Sequence, residues 1–278
     1  MNYIEVTVTF SQTEPWKEIF TTLLADIGFE SFMDGTENEL LAYIQEKQYD
    51  EDLLREILTN HAFKVELSYK SAKIESQDWN SVWESNYAPV MIQDRCYIRA
   101  PFHESRPDVE FEIVIEPKMS FGTAHHETTS MMIEYLLETD VKGKSLLDMG
   151  AGTGILAILA HKKGAFPIVA IDNDEWAYRN NVENNAKNGI DDMTVILGDA
   201  NDIPTGSFDI IFANINRNIL YNDIPSYAAV LKPGGLLFLS GFYVEQDLEI
   251  LQERCLEFGI TYLDNKEKKR WAAVRFNG

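Results

Sequence analysis

The first seventy residues carry strand and helix patterns in alternation. Apolar and polar positions alternate one by one over residues 3–10, which predicts a strand. Helical spacing of the apolar positions predicts a helix from Glu14 to Ile27, and Gly28 ends it. The segments that follow predict two short strands, a helix and a last strand, at 29–34, 39–45, 50–60 and 63–69. The order βαββαβ predicts a small α+β domain with a ferredoxin-like fold over residues 1–70.

Residues 71–95 connect this domain to the rest of the chain and predict a linker helix. Trp79, Trp83 and Tyr87 are spaced four apart, which places them on one helical face, and Pro89 ends the helix. This aromatic face either packs as a structural linker or faces a substrate, and the sequence leaves both open.

The remaining residues, 96–278, alternate short apolar runs with helical stretches, which predicts a parallel sheet with helices on both faces. The runs that predict strands are 145–149, 168–171, 194–197, 208–213 and 236–240. Two final strands, 260–263 and 270–276, are joined by a short charged loop at 264–269, so they must be antiparallel. A mostly parallel sheet that ends in an antiparallel hairpin is the layout of the class I, Rossmann-like methyltransferases, so we expect an α/β fold with a seven-stranded sheet.

The charge of the chain narrows its possible partners. The formal net charge is −21, and residues 1–70 hold 14 acidic against 5 basic side chains. Such a surface repels a phosphate backbone, so direct binding of nucleic acid is not expected. A basic protein would be steered toward it, although solubility alone also accounts for the charge.

The sequence also predicts a cytoplasmic location. Its two cysteines, Cys96 and Cys255, lie far apart without metal-ligand spacing, as expected of reduced buried thiols. No run of 18 apolar residues predicts a membrane span, and the first residues lack the pattern of a signal peptide.

The strongest chemical signal is the segment from Asp148 to Ile155 (DMGAGTGI), which predicts a buried strand, a glycine turn and a helix. Glycines such as Gly150 and Gly152 let the backbone approach a ligand closely. Ile155 departs from the dinucleotide-binding fingerprint, and the Asp148 carboxylate would repel a pyrophosphate. It would favour a cationic ligand instead, and S-adenosylmethionine carries both a sulfonium and an ammonium group.

Two further strand ends carry polar side chains. Asp172 ends the next strand, where an acid accepts hydrogen bonds from ribose hydroxyls, while Asp174 caps the following helix. A capping role for both acids is the alternative. Asn214 ends the strand at 208–213, where a neutral amide oxygen can accept a hydrogen bond from an attacking amine without holding it as ammonium.

A loop at Phe121–Thr129 (FGTAHHETT) precedes the sheet. Its backbone can fold over a bound cofactor, Thr128 or Thr129 can cap the next helix, and His126 can approach Asn214 as a base. Adjacent histidines without a third ligand are a poor metal site, so no metal is expected.

These motifs together resemble one family, the bacterial methyltransferases that modify large-subunit ribosomal protein L11. The family carries a loop similar to Phe121–Thr129, a glycine motif similar to residues 148–158, an acidic strand end like residues 172–174 and an Ala-Asn-Ile like residues 213–215. The similarity extends over nearly the whole chain, including the aromatic linker and the small N-terminal domain.

The resemblance implies a function and a set of site residues. Thr129, Gly150, Asp172 and Asn214 match positions that bind S-adenosylmethionine in that family. The family methylates lysine ε-amines and the N-terminal α-amine of L11, and its N-terminal domain recognises the substrate. A basic ribosomal protein would suit the acidic surface of this chain.

The chain departs from the family pattern at two places. Ala124 stands where the family loop has glycine, and Asn216 and Arg217 replace the usual Leu-Ala after the Ala-Asn-Ile motif. Asn216 and Arg217 are expected to border the substrate entrance.

Three functional hypotheses follow from the sequence. The first is an S-adenosylmethionine-dependent protein N-methyltransferase that acts on L11. The second is a class I methyltransferase for another protein or a small molecule, although a small-molecule enzyme needs no separate N-terminal domain. The third is a cofactor-binding module without catalysis, against which the presence of Asp148, Asp172 and Asn214 argues.

Overall fold

A computed structural model describes residues 2–36, 38–59, 63, 65–74, 87–118 and 121–278. The chain divides into two compact units, Met1–Tyr87 and Ala88–Gly278.

The first unit has the βαββαβ order that its sequence patterns predict. Its elements are β1 (Tyr3–Phe10), α1 (Trp16–Asp26), β2 (Ser31–Asp34), β3 (Glu39–Gln45), α2 (Glu51–Leu58) and β4 (Leu67–Ile74). The antiparallel sheet has the order β2-β3-β1-β4, which confirms the ferredoxin-like arrangement. Strand β4 runs five residues past its expected end at Tyr69, because it pairs along the whole of β1, up to Tyr3 opposite Ile74.

The predicted linker over residues 71–95 falls mainly outside the described residues. Trp79 and Trp83 are among the residues that are not described, so the aromatic face stays a prediction. At the two ends of this stretch the structure has strand rather than helix, since β4 includes residues 71–74 and β5 spans Val90–Ile92.

The second unit opens with a small three-stranded sheet that the sequence patterns did not indicate. Strand β5 pairs antiparallel with β6 (Cys96–Arg99), and β6 pairs parallel with β7 (Phe111–Val114). These strands are only three or four residues long, too short for a visible periodicity.

The large sheet confirms the expected fold class. Its elements in chain order are α3 (Glu127–Glu138), β8 (Leu146–Met149), α4 (Ile155–Lys162), β9 (Ile168–Asp172), α5 (Glu175–Lys187), β10 (Thr194–Leu197), β11 (Phe208–Asn214), α6 (Arg217–Val230), β12 (Leu231–Tyr243), α7 (Val244–Glu257), β13 (Thr261–Lys268) and β14 (Trp271–Asn277). The seven strands have the order β10-β9-β8-β11-β12-β14-β13, and β14 is antiparallel to both of its neighbours. Two buried apolar clusters cover the two faces of this sheet, as expected for strands with helices on both sides.

Two strands of this sheet, β12 and β13, are several residues longer than the sequence predicts. The charged stretch 264–269 was expected to be a loop, but β13 continues to Lys268 and the turn is formed by Lys269 and Arg270. Ion pairs with helix α3 accommodate the charges, for example between Lys266 and Glu138 at 2.7 Å. Strand β12 likewise begins at Leu231, five residues before the predicted run, because Leu231 pairs with Phe208 ahead of a register shift.

A polar cluster ties three strands together at the amino-terminal edge of the sheet. One carboxylate oxygen of Asp209 accepts hydrogen bonds from the backbone nitrogen and the hydroxyl of Ser145, at 2.9 and 2.7 Å, and from Lys232 Nζ at 2.8 Å. The hydrogen bond from Lys232, with those from Ser145, lowers the pKa of Asp209 to about 2.

This cluster predicts an acid-dependent loss of stability. Because the folded-state pKa of Asp209 lies below its ordinary value of 3.8, its contribution is complete above about pH 4 and is lost as the pH falls toward 2. We expect Asp209→Asn to lower the free energy of unfolding by about 1–2 kcal/mol at pH 6. This value allows for screening by solvent, because the Asp209 side chain is about one third exposed. Urea denaturation of both proteins at pH 6 and pH 2.5 measures this, and an equal difference at both pH values would contradict it.

Candidate functional site

A cavity of about 940 Å³ opens over the carboxyl ends of the parallel strands. This is the edge at which open α/β sheets bind ligands. Its wall contains six of the eight residues predicted to bind the cofactor or take part in catalysis: Phe121, His126, Gly150, Gly152, Asp172 and Asn214. Asn216, which was expected to border the substrate entrance, also lines it. Strands β8, β9 and β11 end directly beneath it, so residues distant in sequence meet at one place.

The glycine turn between β8 and α4 forms part of the cavity wall. Gly150 and Gly152 both have positive φ, 66° and 53°, a conformation that residues with a Cβ rarely adopt. A Cβ on Gly152 would lie 2.3 Å from the carbonyl oxygen of Phe121, and one on Gly150 would lie 2.1 Å from Ile215. The turn therefore needs glycine both for its backbone conformation and for its close packing.

Asp172 is held by the glycine turn and by the next helix. Its Oδ2 accepts a hydrogen bond from Gly152 N at 2.7 Å, and its Oδ1 accepts one from Asp174 N at 3.0 Å. Each carboxylate oxygen keeps a further lone pair for a ligand hydroxyl. Asp174 caps α5 by accepting from Ala177 N, as its position in the sequence indicated.

Asp148 lies beneath the glycine turn and is not among the residues that line the cavity. It is 1% exposed, and its Oδ2 accepts a hydrogen bond from Ala157 N at 3.2 Å. Burial raises the pKa of its carboxyl group to about 7. Asp148 thus stabilises the start of α4, and its predicted role toward a cationic ligand stays a prediction.

Asn214 presents an unused hydrogen-bond acceptor. Its Nδ2 donates to Thr129 Oγ1 at 3.3 Å, and Thr129 is 1% exposed. Its Oδ1 is buried and has no hydrogen-bond partner among the residues that the structure describes. Because a buried acceptor without a partner costs about 1–3 kcal/mol, it is a natural contact for a ligand donor.

His126 caps helix α3, a role expected of Thr128 or Thr129. Its Nδ1 accepts from Thr128 N at 3.3 Å and lies 2.7 Å from Thr128 Oγ1. Both threonines lie inside the helix with their side chains buried, so neither is free to cap it. With Nδ1 accepting, the proton of a neutral imidazole is on Nε2, so His126 could act as a base only after a change of tautomer.

The loop before α3 keeps a glycine-like conformation at a non-glycine position. Ala124 has a φ of 66° and is 2% exposed. The backbone of this chain therefore takes the left-handed conformation that glycine adopts most easily, although the side chain is alanine.

Two absences were predicted from the sequence, that of a metal site and that of a membrane span, and the structure bears on them over the residues that it describes. Within the described residues, no group of three or more His, Cys, Asp or Glu side chains could hold a metal ion. Over the same residues, the structure has no helix of the length and apolar character that a membrane span requires.

Comparison with known proteins identifies the family. The model of the ribosomal protein L11 methyltransferase family matches residues 6–277. The chain belongs to this family.

Individual members of the family agree with this match. The ribosomal protein L11 methyltransferase of Bacteroides fragilis is 47% identical over 99% of both chains. The one from Chlorobaculum tepidum is 35% identical over 87% of this chain and 86% of its own. A crystal structure of a ribosomal protein L11 methylase from Lactobacillus delbrueckii subsp. bulgaricus superposes with a TM-score of 0.64 at 28% identity, covering 68% of this chain and 98% of its own.

Membership in this family confirms three of the sequence predictions: the family itself, the class I α/β fold and the enzyme class, an S-adenosylmethionine-dependent methyltransferase. The roles of individual residues are not tested by these comparisons and stay predictions.

The structure also brings residues to the site that sequence patterns missed. Trp271, from the distant strand β14, lines the cavity. Thr153 links the glycine turn to the loop, since its backbone nitrogen donates to Phe121 O at 3.0 Å and its hydroxyl donates to Gly122 O at 2.5 Å. Asn184 on α5 donates to Thr153 O at 2.9 Å. Thr153 lies within the glycine motif, but its contacts with the loop were not predicted. No local motif marks Trp271 or Asn184, and for Asn184 only the spacing Asn180, Asn184, Asn188 offered a signal.

Proposed function

We propose that this protein transfers methyl groups from S-adenosylmethionine to amines of ribosomal protein L11, namely lysine ε-amines and the N-terminal α-amine. The observation that carries the proposal is the unpartnered Oδ1 of Asn214 in the cavity wall. An amine N–H is the kind of donor that this oxygen lacks. The names of the relatives supply the substrate.

The residues present fit S-adenosylmethionine. The glycine turn opens its backbone to the cavity at Gly150 and Gly152, and Asp172 keeps lone pairs for ribose hydroxyls. Phe121, which is 52% exposed, borders the same space. When bound, S-adenosylmethionine supplies an electrophilic methyl group, so that the amine nitrogen gains a bond to the methyl carbon, the carbon–sulfur bond breaks and the sulfur keeps its electron pair.

Asn214 is proposed to orient the amine. Thr129 fixes the amide by accepting from Nδ2, which leaves Oδ1 as the acceptor for the substrate. A neutral oxygen orients an N–H group without the strong stabilisation of ammonium that a carboxylate would give. The cap geometry of His126 gives its Nε2 no lone pair, so the amine is proposed to lose its proton to water rather than to the predicted base.

This proton loss predicts a pH-dependent rate. A lysine ε-amine has a pKa near 10.4 and is mostly protonated at neutral pH. The single-turnover rate of methyl transfer should therefore rise from pH 7 to pH 9, by about tenfold per unit where deprotonation limits the rate. A flat profile under single-turnover conditions would contradict this route for the proton.

The first unit is proposed to form the substrate-recognition domain and the second the methyltransferase domain. Since β4 extends to Ile74 and the second unit begins at Ala88, the predicted bounds 1–70, 71–95 and 96–278 shift to 1–74, 75–87 and 88–278. The 14 acidic and 5 basic side chains of residues 1–70 suit a basic protein partner.

We propose a cytoplasmic location, supported by two buried cysteines that are both free thiols. A role in binding nucleic acid is not proposed, because of the net charge of −21.

One experiment separates this proposal from its alternatives. Radiolabelled methyl transfer from S-adenosylmethionine should appear in purified, unmethylated L11. Transfer to a different ribosomal protein or only to small amines would favour the second hypothesis. Cofactor binding without transfer to any ribosomal protein would favour a non-catalytic module.

A further inference from the structure

Three asparagines along α5 and at its end, here called the asparagine ladder, hold one extended segment of backbone. Asn180, Asn184 and Asn188 are four residues apart and therefore lie on one helical face. Asn188 accepts from Val114 N at 3.0 Å and donates to Val114 O at 2.7 Å, and Asn184 accepts from Glu116 N at 2.9 Å. The segment thus presents every second residue to the helix, as a strand presents its backbone groups to a neighbouring strand.

Asn180, the third member of the ladder, makes only half of the bonds that its amide allows. Its Nδ2 donates to Glu116 O at 3.4 Å, which is longer than the bonds made by Asn184 and Asn188. Its Oδ1 is buried and has no hydrogen-bond partner in the part of the chain that the structure describes, and the residue is 2% exposed. A buried acceptor is rarely left without a partner, so a donor for this oxygen is expected nearby.

The next backbone donor along the segment is Lys118 N. Pro117 has no N–H group, and in an extended chain Lys118 faces the same side as Glu116. An amide side chain suits this pair of groups, because its nitrogen can donate to the carbonyl of one residue while its oxygen accepts the N–H two residues further on. Among the described residues, Lys118 N donates to no backbone oxygen. The Lys118 side chain already lies at this face of α5, where it is paired with Glu183, three residues after Asn180.

The position of Lys118 links this missing bond to the cofactor. Lys118 lines the cavity together with Phe121 and Asp172. Phe121 is in turn attached to the glycine turn, because its carbonyl oxygen accepts from Thr153 N at 3.0 Å. A ligand that fills the cavity contacts the Lys118 end of the segment, and so favours the arrangement in which this end is held against α5.

We propose that Asn180 accepts the Lys118 N–H when S-adenosylmethionine is bound, so that it completes the ladder and positions the wall of the cofactor cavity. Asn180 is not among the residues that line the cavity, and it acts on the cofactor through Lys118. Because the bond forms with the cofactor in place, its free energy adds to the affinity for the cofactor. This closure depends on the cofactor alone, whichever protein accepts the methyl group.

Hydrogen exchange at single backbone amides, measured by NMR on the full chain, tests the proposal. Saturating S-adenosylhomocysteine should slow exchange at Lys118 N by at least about tenfold, because this N–H gains a buried acceptor. The amides of Val114 and Glu116 are internal controls, since their bonds to the ladder exist already. They should be protected both with and without the ligand.

Two variants separate this role from a merely structural one. Asn180→Leu should abolish the slowing at Lys118 N and weaken the binding of S-adenosylhomocysteine by about threefold to tenfold in calorimetry, the effect of one lost hydrogen bond. Asn188→Leu is the matched control, because it removes the member of the ladder that holds Val114 rather than the Lys118 end. It should keep both the slowing and the affinity.

Equal exchange at Lys118 N with and without S-adenosylhomocysteine in the natural protein would overturn the proposal. Slowing that persists in Asn180→Leu would also overturn it, because the ligand would then shield Lys118 without help from Asn180. If Asn180→Leu does not fold, Asn180→Ala removes the same acceptor with a smaller side chain, and the same two results decide.

Discussion

Replacing Asp172 with alanine is expected to weaken S-adenosylmethionine binding by about 2–4 kcal/mol, or roughly thirtyfold to a thousandfold in Kd. The two hydrogen bonds proposed from ribose hydroxyls to this charged acceptor would account for most of this loss. The structure adds a second contribution, because Asp172 also accepts the backbone N–H of Gly152 and so fixes the glycine turn.

Asp174→Asn is the matched control for this change. Asp174 is the next carboxylate along the chain and also lines the cavity, but its side chain caps α5. Asparagine preserves the cap, so the stability of the protein should be unchanged. Calorimetric titration of both variants measures the effect, and an affinity of Asp172→Ala within twofold of the natural protein would remove Asp172 from the cofactor site.

The strands of the large sheet could be predicted where they are buried on both faces. Such strands appear as apolar runs, so the expected bounds of β8 and β9 agree with the structure to within one residue. The edge strand β13 could not be predicted over its full length in this way, because its charged residues are stabilised by ion pairs with α3, which comes from elsewhere in the chain. Its polar sequence resembled a loop until that partner was known.

The site divides in the same way. The place of the glycine turn and of Asp172 at the cavity could be predicted from the sequence, because each belongs to a short contiguous motif at the end of a strand. Trp271 was missed because its position depends on the pairing of β14 with β12 and on the capping of α3 by His126. A contact made only by tertiary packing leaves no periodicity in the sequence.

Asn184 is the most consequential of the residues that sequence patterns missed. Its Oδ1 accepts from Glu116 N and its Nδ2 donates to Thr153 O, both at 2.9 Å, and it is fully buried. It therefore joins the segment that leads to the Phe121 loop with the glycine turn. Asn188 makes equivalent bonds to the backbone of Val114, at 3.0 and 2.7 Å, but does not bond to the glycine turn.

We expect Asn184→Leu to lower the free energy of unfolding by about 2–4 kcal/mol, because the backbone groups of Glu116 and Thr153 lose their partner and the bond to Thr153 is buried. Asn188→Leu should cost less, because its two bonds to Val114 are only half-buried. Only Asn184→Leu should also weaken S-adenosylmethionine binding, by about fivefold to tenfold, because Thr153 would no longer hold the turn against Phe121. Urea denaturation and calorimetry on both variants separate the two effects. Equal cofactor affinity in the two variants would show that Asn184 supports the fold alone.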